Sequence, residues 1–98
     1  MPKGYIVLNI DIHDPARWDD YRSRSMPYVQ SRGGRYLIAS NELEEREVPF
    51  NLKRLVVIEF ASVEDAKAAY DDPHYQSRIM PYRLWAAASQ VVIVSGRD

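Results

Sequence analysis

The sequence predicts an α+β fold of order βαββαβ, a four-stranded antiparallel sheet with its helices on one face. Two observations carry this. Four strand-like runs, three of them rich in β-branched residues, are interleaved with two segments that open on helix-capping signals. An eight-residue repeat also recurs, Tyr21-Arg22-Ser23-Arg24-Ser25-Met26-Pro27-Tyr28 and Tyr75-Gln76-Ser77-Arg78-Ile79-Met80-Pro81-Tyr82, identical at six of eight positions. Each copy falls in a helix between two strands. A duplicated βαβ unit closes most simply as a ferredoxin-like sandwich, with right-handed crossovers placing both helices on the same side.

Gly4 to Ile12 reads as the first strand, in which Ile6, Leu8, Ile10 and Ile12 alternate with Tyr5, Val7, Asn9 and Asp11. Asp14-Pro15 opens a helix: Asp14 can accept from free N–H groups, and Pro15 suits a position whose donor is unpaired anyway. This helix is expected to run to about Arg32, with Trp18, Tyr21, Ser25, Tyr28 and Val29 near one face and a kink at Pro27. Gly33-Gly34 supplies the left-handed stop, and Arg35 to Ser40 forms the second strand. Residues 41–52, with Glu42, Glu44, Glu45, Arg46, Glu47 and Pro49, read as a charged hairpin loop. Lys53 to Ala61 is the third strand. Ser62 opens the next helix, with Asp65 three residues on as a weaker capping box. The chain breaks at Asp71-Asp72-Pro73, from which a second helical piece is expected through about Ala88. Gln90 to Gly96 is the last strand. The shared proline predicts that the two helices bend alike. The first and third strands are expected at the centre as parallel neighbours, with the second and fourth at the edges.

The faces of the sheet carry a further expectation. Ile6, Leu8, Ile10 and Ile12, with Val56, Ile58 and Phe60, make the row that helices cover. Tyr5, Val7, Leu55 and Val57 lie opposite, joined by either Val91 and Ile93 or Val92 and Val94. Helices on one side cannot cover that second apolar surface, and a monomer seldom leaves so large a patch in water. A second copy packed face to face around a twofold axis is expected to cover it, making a dimeric α/β barrel; the alternative is a monomer whose second face is shielded by the 41–52 loop and the C-terminal tail.

Composition bounds the function. The 98 residues suit one domain, 1–98, and the net charge of −1 argues against broad nucleic-acid binding. With no cysteine, disulfides, thiolate metal sites and thiol nucleophiles are excluded. No run approaches the roughly 20 apolar residues of a membrane span, no signal peptide is expected after Met1-Pro2-Lys3-Gly4, and the composition fits the cytoplasm.

Lys3-Gly4-Tyr5, Asn9 and Asp11, Asp14-Pro15, Gly33-Gly34-Arg35-Tyr36-Leu37, Arg54, Val57-Ile58-Glu59-Phe60 with Ser62, Tyr70, Asp72, Tyr75, Arg83 and Val92-Ile93-Val94 form a pattern over nearly the whole chain. In it the chain resembles the domain-of-unknown-function 1330 family, small members of the dimeric α/β barrel superfamily. It departs where the family continues the second strand with an arginine and two glycines, since Ala39-Ser40-Asn41 stand there, and the acidic-glycine turn of the next loop is missing. The resemblance implies the fold and a homodimer, and no assigned activity.

Asp11 and Glu59 each stand three residues before a helix cap. On parallel neighbouring strands about 4.8 Å apart, the two carboxylates resist joint ionisation and one pKa rises, the pattern of an acid/base pair. The alternative is ion pairing with Arg35, Arg54 or Arg83 at the dimer seam. Asn9, Arg35, Tyr36 and Arg83 are the ligand-binding candidates. An arginine fork clamps a carboxylate well, although it can equally pair with an internal acid or face water. His13 and His74 lack metal-ligand spacing and read as surface residues, so neither metal nor cofactor is expected. The helical aromatics read mainly as packing anchors, with some lining a pocket between helices and sheet and offering hydroxyls as polar handles. Three functions follow: a homodimer binding a small polar or carboxylate-bearing molecule near the seam; a cofactor-independent enzyme, acid/base or monooxygenase-like, using Asp11 and Glu59; or a structural or regulatory dimer.

Overall fold

A computed structural model describes residues 2–47 and 51–97. Strands β1 (Gly4–Ile12), β2 (Arg35–Ser40), β3 (Arg54–Phe60) and β4 (Ala87–Ser95) form one sheet in the order β2-β3-β1-β4. Helices α1 (Pro15–Ser31), α2 (Val63–Asp71) and α3 (Met80–Ala86), with a π-helical turn at Tyr75–Ile79, pack on one side of it. The predicted α+β architecture is present, with β1 and β3 central. Pro49 of the predicted hairpin loop lies outside the described residues.

All three strand pairings are antiparallel. This corrects the expectation that the first and third strands run parallel. In the β1–β3 register Gly4 faces Phe60 and Ile10 faces Arg54. A helix returns the chain across the sheet before β2, and the β2–β3 hairpin reverses it again, so β3 runs against β1.

The capping logic holds at both long helices. Asp14 accepts the N–H of Arg17 at 3.2 Å, and Ser62 Oγ accepts the N–H of Asp65 at 3.1 Å. The two repeated prolines behave differently, contrary to expectation. Pro27 lies inside a continuous α1. Pro81 follows a widened turn in which Met80 N–H reaches back to the Tyr75 carbonyl. A proline ring crowds the carbonyl four residues earlier and offers no N–H in return; the extra residue per turn relieves that crowding. The last strand starts at Ala87, earlier than Gln90. Ala87 pairs with Ile12, and the Ala86 carbonyl accepts both His13 and Asp14 N–H groups, ending α3 there.

The core fills the space between helices and sheet. Ile6, Leu8 and Ile10 of β1 and Val56, Ile58 and Phe60 of β3 meet Trp18, Tyr21, Val29, Ala66, Ala69, Tyr75 and Ile79. Burying a side chain as completely as Ile10 or Phe60 contributes about 1.5–3 kcal/mol each. On the other face, alternation and register bring Val7, Leu55, Val57, Ile38, Val92 and Val94 together. Val92 is 59% and Val94 46% exposed, whereas Val91 and Ile93 turn toward the core.

Candidate functional site

Antiparallel pairing separates the two carboxylates proposed as an acid/base pair. Glu59 faces Tyr5 at the start of β1, while Asp11 lies near its end opposite Ala88. Six residues of strand put them roughly 20 Å apart. The raised-pKa pair required neighbouring carboxylates, and that geometry is absent.

Each carboxylate has its own surroundings. Glu59 accepts from the Tyr5 hydroxyl at 3.1 Å, from Arg35 at 3.1 Å and from Lys3 at 3.4 Å. Desolvation opposes its charge, but the Tyr5 hydrogen bond, Lys3 and Arg35 prevail and hold its carboxyl below the ordinary range. Its partners thus resemble the ion-pair network weighed as the alternative. Asp11 is exposed on a shallow dent with Asn9 and Lys53. Asn9 is held by its neighbours: its amide donates to the Asn51 carbonyl and Gln90, and its oxygen accepts the N–H of Lys53. His13 and His74 are exposed. Among the described residues no group of three or more potential metal ligands gathers.

Arg83 and Tyr36 lie on the helix side. Arg83 is only 2% exposed. It does not face water and, among the described residues, meets no acid, in contrast to both alternatives expected for it. Its guanidinium donates to Ser89 Oγ and, at 3.5 Å, to the Tyr70 hydroxyl, and the Tyr75 hydroxyl lies beside it. Burial opposes its charge, but Tyr75, Tyr21 and Tyr70 outweigh it and the Arg83 pKa stands above the ordinary value. No ion pair among the described residues involves it.

A cavity of about 150 Å³ opens between α1 and the sheet. Leu8, Ile10, Val56 and Ile58 form its floor, and Trp18, Tyr21 and Ser25 its helical wall. Tyr36 closes one side. Arg22, Met26 and Ala39 are exposed lining residues, so the mouth lies at that edge. Arg54 stands there too. Its Nη2 donates to the Ala39 carbonyl at 3.3 Å, while its Nε is buried without a hydrogen-bond partner among the described residues. None of the described lining residues is acidic. Helical spacing of Trp18, Tyr21 and Ser25 foreshadowed this wall. On sequence grounds Arg54 is only a partner for the carboxylates, because a residue at a strand start does not reveal which side of the sheet it serves.

Tyr21 connects the cavity to the buried arginine. Its hydroxyl is 2.8 Å from that of Tyr75. A second, smaller apolar space of about 30 Å³ lies beyond, against Tyr28, Tyr70 and Tyr75.

Solved structures share this architecture. The RPA0582 protein of unknown function from Rhodopseudomonas palustris aligns with a TM-score of 0.76 at 14% identity, covering 99% of this chain and 84% of that one. SnoaB, a cofactor-independent oxygenase from Streptomyces nogalater, aligns with a TM-score of 0.67 at 15% identity, covering 100% and 96%. At such identities the likeness shows the ferredoxin-like fold. No curated protein matches the chain. The profile of one family spans residues 3–97, and by that match the chain belongs to the family described as domain of unknown function DUF1330.

Proposed function

We propose that the protein is a homodimer that binds, within each subunit, a small ring-sized apolar molecule carrying a carboxylate. The observation that carries this reading is the cavity beneath α1. Its floor is aliphatic, its charged lining residues among those described are Arg22 and Arg54, and the buried Nε of Arg54 has no partner among the described residues. A cavity of roughly this volume lined by apolar side chains accommodates benzene. A carboxylate at the mouth satisfies the arginine donors, and charge-assisted bonds of this kind are the stronger ones. The binding position moves inward from the seam expected on sequence grounds, because Arg35 and Glu59 there engage each other.

The dimer rests on the open face. Val7, Ile38, Leu55, Val57, Val92 and Val94 form an apolar centre that the helices of the same subunit do not reach. A second copy turned by a twofold axis covers it with an equal surface.

Benzoate titration of labelled protein, followed by NMR, tests the binding reading. The expected shifts cluster at Leu8, Ile10, Trp18 and Ile58. Arg54→Met weakens benzoate by about tenfold or more, in line with a charge-assisted bond, and leaves neutral benzyl alcohol little changed. Absence of shifts at millimolar benzoate favours a structural or regulatory dimer. Shifts centred on Arg35 and Glu59 restore the seam as the site.

Cofactor-free oxygenation is the second reading, supported by the fold shared with SnoaB and by an apolar cavity able to shelter a reactive ring. It no longer rests on Asp11 and Glu59 acting as a pair. Oxygen uptake with hydroquinone, above that of a protein-free control and lost on blocking the cavity with Ser25→Trp, is its expected signature.

A further inference from the structure

Arg83 is a buried cation whose surroundings among the described residues are hydroxyls, with its Nε unpartnered. A buried charge is costly unless it is paired and fully hydrogen-bonded, so an anion brought near Arg83 supplies compensation that its hydroxyl neighbours give only in part. The guanidinium can only donate. The Tyr75 oxygen beside it therefore accepts, and the Tyr75 hydrogen is free to point to Tyr21 Oη, 2.8 Å away. That leaves the Tyr21 hydrogen for the cavity, whose wall Tyr21 forms.

Resting on the cavity as the ligand site, we infer that Tyr21 donates a hydrogen bond to a phenolate or enolate oxygen at the inner end of the bound molecule, and that Arg83, acting through Tyr75, supplies the charge that keeps this oxygen anionic. The ligand class narrows accordingly to a ring with an acidic group at the mouth and an ionisable hydroxyl at the inner end. Tyr21 is the binding residue; Tyr75 and Arg83 are positioning residues. The polar groups lining the cavity away from its mouth are Tyr21 and Ser25 from α1 and Tyr36 from β2, with Tyr75 of the π-helical turn and Arg83 of α3 behind Tyr21. β1 and β3 present aliphatic side chains there, and Arg22 and Arg54 stand at the mouth. Burial, reinforced by Tyr75, holds Tyr21 well above the ordinary tyrosine range, so it remains a donor at neutral and mildly alkaline pH.

The test uses 4-nitrophenol, whose absorbance reports its ionisation, with the whole protein in excess. Bound probe is expected to ionise about one pH unit lower than free probe, a tenfold preference for the anion. Tyr21→Phe, which keeps the ring, returns ionisation toward the free value while the probe still binds. Arg83→Gln does the same if circular dichroism shows it folded. Bound probe that ionises at or above its free pH, or a displacement untouched by Tyr21→Phe, overturns the relay. Benzoate binding without 4-nitrophenol binding overturns the relay alone. Failure of both probes removes the cavity reading and this inference with it.

Discussion

The hydroxyls of Tyr21 and Tyr75 lie 2.8 Å apart, and the two residues occupy the same first position of the repeated octapeptide. Equivalent residues that contact each other mark a twofold relation between the units that carry them. The sheet obeys the same relation. Leu8 and Val56, each six residues before a helix cap, are paired directly across β1 and β3. Residues on this axis meet. Residues displaced from it, as Asp11 and Glu59 are, go to opposite ends.

The tyrosine pair is open to a double-mutant cycle. Tyr21→Phe or Tyr75→Phe alone leaves the other hydroxyl buried with one partner fewer, at a cost of about 1–3 kcal/mol each. The double variant is expected to cost less than the sum, by roughly 0.5–1.5 kcal/mol. Urea denaturation gives all three values, and strict additivity shows that the hydroxyls do not interact.

Two glycines separate close packing from backbone conformation. A Cβ on Gly4 meets the Ser62 carbonyl oxygen at 2.4 Å and Val63 Cα at 2.6 Å, backbone atoms of the segment that starts α2. Gly33 sits at φ +81° with open space around it. Gly33→Ala is expected to cost about 1–2 kcal/mol, the left-handed penalty. Gly4→Ala is expected to cost more, because strand and helix start must move apart. Equal midpoints in urea contradict this assignment.

Acid sensitivity follows from Asp72. Its carboxylate accepts the N–H of His74 at 2.8 Å and Arg32 Nη1 at 2.8 Å, and these bonds, the one to His74 foremost, hold its pKa below the ordinary value. Since the folded value lies below the unfolded one, protonation favours the unfolded chain. The contribution is complete above the unfolded range, near pH 4, and fades as pH falls through the folded value. Glu59 acts in the same direction. Thermal melts are expected to show the wild type losing its advantage over Asp72→Asn as pH drops from about 5 to 3. A gap that stays constant over that interval speaks against the bond.

Val92 tests the open face. It is 59% exposed in a lone subunit, so Val92→Glu should leave the fold unchanged and place like charges at the proposed seam. Sedimentation is expected to show twice the 11.4 kDa chain mass for the wild type and the single chain for the variant. A wild type that sediments as a single chain removes the dimer.

Much of the fold was legible in local chemistry. Asp14-Pro15 and Ser62 announce their helices because capping needs only neighbouring residues. The alternation along β1 reveals two faces because side chains on a strand point alternately up and down. The direction of β3 relative to β1 was not legible, since the alternation of a strand reads alike in either direction. For the candidate site, the sequence singles out Arg83 and Tyr36 as residue types suited to a ligand, but it does not reveal their place on the helix side of the sheet.

The sequence by itself determined the element order, the caps, the duplication and the two-faced sheet, all of which depend on interactions within a few residues or on a period. Only the tertiary structure decided which residues share a neighbourhood. It set Glu59 among Tyr5, Lys3 and Arg35, Arg83 among tyrosines, and Arg54 at the mouth of a cavity. The physical reason is that strand direction and the twofold relation between the halves act over tens of residues, and a side chain's charge state depends on the groups they bring beside it.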